Sequence, residues 1–563
     1  MNTQPFIAFL VGWGLALLAQ TASGQDVGNL AKQKPATFSG NLTVTTDLYR
    51  NVEGRERIDP FAWTVSGSPT LTVYGITVPV FFLVNNQSRS LTGPFQQFGM
   101  SPYYKWVKVH AGYRNLTFSP YTLAGRLFLG AGIELTPGKL RFAAMYGQFQ
   151  KGQPAAPSAF TAVDSPAPLP QFQRLGYALK LGYGTPASYV DVIYFQAKDN
   201  SQSINFPAAT RITPDENAVI GVSSQLTFFN RLTWTTHVGV SAYSRDIRRP
   251  ENTTVTAQYP FFRSFFVPRS GTQVAYAGES SLNYTSSLVT MQLQVRQISA
   301  EYQSMGAYFF NTDLREITVS PSVVLMDGKV QVSGSYGYQQ DNVSGLRAAT
   351  TTRQIGSLNV SIQPSQTFGV LVNYSNYGTS QRGTERIIDS LKIQQVNQSL
   401  VIAPRLFLGG ETVQQTLSAF ISYQNANDFN TVSQVRTDVN NVMANLNYSY
   451  SRPKQRFSLT PGLSAIRNFV PGYNTQSVGG SVAVSKGFDK GKLNTSVSSN
   501  YYQNFYEGTT NGYTLRLRAG GRYHPSGPHE FSVSVASTVN QDTKIKSRNF
   551  TELFGQVGYN LAF

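Results

Sequence analysis

Alternation with a period of two residues runs through almost this whole chain, with tight turns on one side of it and long connections on the other. Few architectures tolerate both. Val289, Met291, Leu293 and Val295 alternate with Thr290, Gln292, Gln294 and Arg296, and Val330, Val332, Tyr336 and Tyr338 with Gln331, Ser333, Ser335 and Gln339. Phe531, Val533 and Val535 do the same against Ser532 and Ser534. Successive side chains of a strand point to opposite faces, so each stretch reads as a strand with one apolar and one polar face. Short turns separate them at intervals of roughly 35 to 55 residues: Pro137-Gly138-Lys139, Thr185-Pro186-Ala187, Asn230-Arg231, Tyr284-Thr285-Ser286, Asp327-Gly328-Lys329, Gln363-Pro364-Ser365, Ala403-Pro404-Arg405, Arg452-Pro453-Lys454, Asp489-Lys490-Gly491 and Pro525-Ser526-Gly527. Most carry the Gly, Pro, Asp or Asn that a tight reversal needs. A solvent-facing sandwich also alternates, but it does not usually keep one short and one long side through 563 residues. The asymmetry predicts an all-β fold, a large antiparallel barrel that spans a membrane.

Composition agrees. Charged residues are 13% of the chain, about half the usual soluble share, while Tyr and Phe number 31 and 36 and Gly 48. Beyond the N-terminus no apolar run approaches the 18 residues of a spanning helix, and mean hydropathy is −0.21, so a crossing must be made by strands. The net charge of +17 raises nucleic-acid binding, but the 46 Lys and Arg are scattered singly, without the dense cluster such binding favours. With no Cys, disulfides and thiolate chemistry are excluded.

The last stretch, Glu552 to Phe563, places Leu553, Val557, Tyr559, Leu561 and Phe563 on one face with Gly555, and Glu552, Gln556, Gly558, Asn560 and Ala562 on the other; Phe554 is the exception. Tyr559, Leu561 and the terminal Phe563 resemble the C-terminal signal strand of bacterial outer-membrane β-barrels. That resemblance implies the outer membrane of a Gram-negative bacterium, its lipid as the surrounding medium, and recognition by the barrel-assembly machinery. Residues 1–24 read as a secretory signal peptide: Phe6 to Leu18 is apolar, and Ala22, Ser23 and Gly24 precede a cut before Gln25, although no Lys or Arg opens the segment. Residues 25–36 read as a short periplasmic linker, and 37–563 as the barrel. The Tyr- and Asn-rich strands resemble Bacteroidetes barrels, porin-like rather than TonB-dependent, since the linker leaves no room for a plug domain.

Eleven short turns, counting Gly75, give about 24 strands, within a range of 20 to 26. Pro79 suggests an edge-like or bulged strand. Two stretches fall outside the rhythm. Phe95 to Thr122 is dense in aromatics and shifts Pro137 to the wrong side if read as ordinary strands, so it is assigned to an insertion into or over the lumen, with two extra short strands as the alternative. Arg245 to Ser270 is an outer loop in which Phe261, Phe262, Phe265 and Phe266 are costly to leave in water, so it should pack on something: a pore constriction, a partner, or neighbouring loops.

Few residues suggest reaction chemistry. His110, His237, His524 and His529 are the only imidazoles, and no triad, metal-ligand or phosphate-loop spacing appears, so neither an enzyme nor a cofactor is expected. Arg516, Arg518 and Arg522 share the polar face of one strand, and Arg296 and Lys180 the polar faces of two others. Facing a lumen, these five cations would favour anions; the alternative is that they pair with acids or reach the rim. The expected function is a passive channel for small hydrophilic solutes, anions among them. The alternative is a structural or secretion barrel whose lumen or outer loops hold a partner protein.

Overall fold

A computed structural model describes residues 36–53, 56–86, 97–154, 170–204, 212–254, 265–308, 311–383, 393–430, 432 and 437–563. The signal peptide, most of the linker, and Phe261 and Phe262 lie outside these. Among the described residues, 29 hydrogen-bonded segments form one antiparallel sheet, and no helix is long and apolar enough to cross a membrane. Three strands are interrupted once, so the segments make 26 staves, and the sheet closes on itself. Asn41–Asn51 pairs with Phe550–Ala562, from Asn41 opposite Ala562 to Asn51 opposite Glu552. Gly40 and Phe563 exchange backbone hydrogen bonds of 2.7 and 3.0 Å at this seam, and the rings of Phe38 and Phe563 stack 4.4 Å apart.

The count exceeds 24 because Gln97 to Thr117 is wall. Gln97–Met100 with Tyr103–Tyr104 forms one stave and Val107–Thr117 the next, paired through Tyr103 opposite Lys108 and Gly99 opposite Gly112. The reversal between them uses Lys105 at φ 51°, a turn without Gly or Pro at its tip and so without the usual sequence mark. Of the expected insertion, only the connection after Thr117 enters the lumen. A second correction falls at Ala403-Pro404-Arg405, which lies inside the strand Gln394–Gly409. Pairing on one side skips there from Ile402 opposite Ile421 to Arg405 opposite Ser418, since proline offers no N–H to a ladder. The turn is further on, where the Gly410 N–H donates to the Val413 carbonyl at 2.9 Å.

Two of the three interruptions follow the same rule. Gly40, Ser68-Pro69 and Ser101-Pro102 break three staves, and Pro79 sits in the stave between the last two. Around these prolines the ladder runs through their carbonyls: Val80 N–H to Pro69 at 2.8 Å, Ser101 N–H to Pro79 at 3.0 Å and Val109 N–H to Pro102 at 2.9 Å. Pro79 thus marks an irregular row within a stave that is paired on both sides.

Alternation sorts the two faces. The connection Phe118–Leu123 reaches a distant stave, where the Tyr121 hydroxyl donates to Glu279 at 3.1 Å, so the Glu279 face is the lumen. The opposite face is a band of exposed Leu, Val, Ile and Tyr, with Leu463, Leu181 and Val497 at 64%, 58% and 59% exposure. Such a band costs too much free energy to leave in water and suits lipid. In the last strand Leu553, Val557, Tyr559 and Leu561 face outward, while Glu552, Gln556 and Asn560 face the lumen.

Candidate functional site

The lumen is built in two unlike parts. From Val107–Thr117 round to Thr272–Thr285 its wall is covered by protein. Strand Tyr189–Asn200 is apolar on both faces: Val190 and Val192 point out, and Ile193, Phe195 and Ala197 point in. The inward set joins Phe128, Met145, Phe149, Ala178, Val219 and Met305 in one buried cluster. Two connections lie across it, Phe118–Leu123 and the segment 299–308. Tyr302, 1% exposed, donates its hydroxyl to the Tyr121 carbonyl, with the two rings edge to face at 6.1 Å. Ser304 donates to the Thr122 carbonyl at 2.5 Å. Asn217, fully buried, accepts from the Met305 N–H at 3.0 Å and donates to Ser241 at 2.8 Å and to the Ala242 carbonyl at 3.0 Å. Every polar group named here is satisfied, as burial requires.

The other part, from Val330–Asp341 to Asn41–Asn51, presents Ser, Thr, Asn and Gln to the lumen. Cross-strand bonds hold these side chains to the wall: Ser335 to Ser357 at 2.7 Å, Ser464 to Asn445 at 2.6 Å, and a run from Ser477 to Asn504 at 2.8 Å, Asn504 to Thr514 at 3.0 Å and Thr514 to Asn540 at 2.8 Å. A recess of about 260 Å³ among Ser375, Tyr377, Asn397, Ser399, Gln424 and Asn441 opens on this wall.

Arg516, Arg518 and Arg522 face this polar part, opposite Asn500, Ser498 and Asn494 on the neighbouring strand. Arg516 and Arg518 are exposed and make no ion pair among the described residues. Arg522, near the short-turn rim, pairs with Glu530 at 3.1 Å, which also holds His524 at 2.6 Å. Of the two remaining cations, Lys180 lies in the covered part and Arg296 on Val289–Ile298, the strand just beyond it. Arg296 is bound to Glu316, and Lys180 sits 5.0 Å over the Phe118 ring with Asp191 and Glu134 nearby. The five are therefore two free guanidiniums and three engaged cations, at different heights.

The described part of the aromatic segment, Phe265 and Phe266, lies away from the pore. Phe266, 2% exposed, packs on Ala218 and Ala242, and the Phe265 ring lies 5.5 Å from Tyr194. All three partners are on the outward face, so this part of the loop lies over the outer wall at the long-loop end. Phe265 and Phe266 constrict nothing.

Sequence reasoning missed two buried polar assemblies on the lumen face. Ser101 and Glu134 flank His110, at 2.7 Å from Nδ1 and Nε2 respectively, but Ser101 and His110 are 7% and 2% exposed, which leaves the hydroxyl closed to a substrate. The Arg141 guanidinium grips Asp191 with two bonds of 2.7 and 2.9 Å across Gly182, where a Cβ would come within 1.9 Å of the carboxylate. Arg141→Met leaves Asp191 buried and unpaired, and is expected to cost roughly 3 kcal/mol in urea unfolding of the micellar barrel. No signal short of the register itself would have paired residues so far apart in sequence.

Asp215, in the connection before Glu216–Phe228, accepts from the Tyr243 hydroxyl at 2.7 Å, and burial raises its carboxyl to about 6 against that bond. The folded form therefore holds a proton that the unfolded form has lost between about pH 4 and 6. Stability falls as pH rises through that window and stays at the lower level above it. Hydrogen exchange at 212–216, corrected for intrinsic rate, is expected to be slower at pH 5 than at pH 7, and Asp215→Asn to remove the difference.

No family model and no curated protein matches the chain. Solved barrels do. Acinetobacter baumannii OccAB2 aligns at 9% identity and a TM-score of 0.31, over 69% of this chain and 98% of its own. The FrpB iron transporter of Neisseria meningitidis (F3-3 variant) aligns at 10% and 0.39, over 96% and 83%. A mutant of the Pseudomonas aeruginosa ferric enterobactin receptor PfeA aligns at 9% and 0.40, over 94% and 81%. Identities this low transfer no residue role.

Proposed function

We propose that the protein is an outer-membrane channel in a Gram-negative bacterium, through which small hydrophilic solutes, anions favoured, diffuse passively along the polar part of the lumen. The observation that carries this reading is the contrast between the two parts of the wall. One is covered by the chain's own connections, while the other holds hydrogen-bonded Ser, Thr, Asn and Gln side chains beside Arg516 and Arg518, which meet no carboxylate among the described residues. A barrel this wide encloses more space than its side chains fill, and a cationic polar wall draws anions into it. Delivery by the barrel-assembly machinery, with Tyr559, Leu561 and Phe563 as the segment read, belongs to the same proposal.

The test is single-channel recording of the purified chain in planar bilayers under a salt gradient. A steady conductance with a reversal potential of anion sign supports the channel, and a silent, folded barrel removes it. The one-sided filling also fits a second reading, a structural or secretion barrel whose polar side houses a partner protein. That reading requires a stoichiometric second chain to co-purify.

A further inference from the structure

We propose that the outer wall of the barrel at its short-turn end binds one anionic phospholipid, with its phosphate held between Arg452 and Lys486. The inference goes beyond channel function and needs only that the barrel spans a bilayer.

Three neighbouring strands align a cation, an aromatic ring and a second cation in one row. Arg452 stands opposite Phe457, and Phe457 opposite Lys486. Adjacent strands are about 4.8 Å apart, so the two cations flank the ring about 10 Å from each other, a span that long basic side chains close onto one phosphate. The row borders a recess of about 550 Å³ lined by Tyr450, Arg452, Gln455, Phe457 and Lys486. All four strand positions share the outward face, which faces lipid.

Neither cation meets a carboxylate among the described residues. Arg452 donates to the Tyr450 hydroxyl and to Gln455 Oε1 at 3.5 Å, and Lys486 Nζ donates to the Gln455 carbonyl at 2.8 Å. Both charges are thus aimed by neutral partners and remain uncompensated. Asp489, in the next turn, pairs with Lys492 at 3.9 Å. Away from the turn the same outward face becomes apolar, with Leu459 opposite Val484, then Val482, Leu463 and Leu446. A charged row at headgroup depth beneath an apolar wall is the shape of one phospholipid: phosphate on the cations, acyl chains along the strands. A soluble phosphate uses only the row, whereas a lipid uses both.

The test is native mass spectrometry of the full-length protein titrated with dioleoyl phosphatidylglycerol, with dioleoyl phosphatidylcholine and glycerol 3-phosphate as parallel probes. The expected result is one retained phosphatidylglycerol, bound at least about tenfold more weakly by Arg452→Ala with Lys486→Ala, since two charge-assisted contacts are lost. Lys490→Ala with Lys492→Ala, outside the recess, should leave binding unchanged, and heat-modifiable migration should show every variant folded. Arg452→Lys with intact Lys486 keeps both charges and should retain most of the affinity, which guards against a packing defect. Equal phosphatidylglycerol binding by the Ala pair overturns the proposal. So does equal binding of phosphatidylcholine, or displacement of the lipid by equimolar glycerol 3-phosphate. Channel conductance is read separately, so a silent barrel that binds the lipid leaves this inference standing.

Discussion

Tyr302→Ala is expected to raise the single-channel conductance of the reconstituted barrel, by about twofold if the covered part of the lumen opens fully. The ring is 1% exposed, packs edge to face on Tyr121, and donates its hydroxyl to the Tyr121 carbonyl. Deleting a buried aromatic of this kind costs roughly 3–5 kcal/mol. The contacts that hold the segment 299–308 down are local: this one, Ser304 on the Thr122 carbonyl, Asn217 on Met305, Ser241 on the Gln303 carbonyl and the Ala124 N–H on the Gly306 carbonyl among them. A loss of that size tips the balance toward an undocked loop. Asn217→Ala should act in the same direction and more weakly, since it strands the buried Met305 N–H at roughly 1–3 kcal/mol. Both conductance and hydrogen exchange at 299–308 should rise. Faster exchange without added current would mean that the covered part is closed by the apolar wall behind the loop.

Arg516→Ala with Arg518→Ala is expected to move the reversal potential under a tenfold salt gradient from an anion-selective value toward zero, with a small change in total conductance. The two guanidiniums are exposed to the lumen and lack acidic partners among the described residues, so their field acts on passing ions within about 10 Å at 0.1 M salt. The companion substitution Arg296→Ala should have little effect on selectivity, because Arg296 is already neutralised by Glu316, and should instead weaken the wall locally. A reversal potential unmoved by the pair would place selectivity elsewhere, or nowhere.

Much of the architecture is readable in the sequence because a barrel's faces are encoded two residues at a time. The strand 509–523 places Arg516, Arg518 and Arg522 inward as its alternation says, and Glu552 to Ala562 divides as expected, Phe554 included. The misses have physical causes. A turn at Lys105 can take a left-handed backbone without glycine, so nothing in the sequence decided between an insertion and the two extra strands, and the strands are what form. Pro404 looked like a turn because proline usually ends a ladder, yet here the strand absorbs it as a local gap. The covered part of the lumen did have a signal: Ile193, Phe195 and Ala197 are apolar on the face that polar residues occupy elsewhere, and a strand greasy on both faces must meet protein on its inner side. Which segment covers it could not be read, because the 299–308 connection meets residues 121–122 and 217 through folding alone.

The seam between Asn41–Asn51 and Phe550–Ala562 has a kinetic consequence. Every other stave can pair with its sequence neighbour as a hairpin, a fast and local event, but this ladder joins segments about 500 residues apart. Loop-closure entropy grows only as the logarithm of length, so the distance is thermodynamically cheap and the cost falls on search time. Until the last strand arrives, the growing sheet carries two bare edges that can add foreign strands, and an assembling protomer is most vulnerable at its final step. The stacked Phe38 and Phe563 rings and the reciprocal Gly40 and Phe563 hydrogen bonds sit where that step ends, making the seam a latch that closes last.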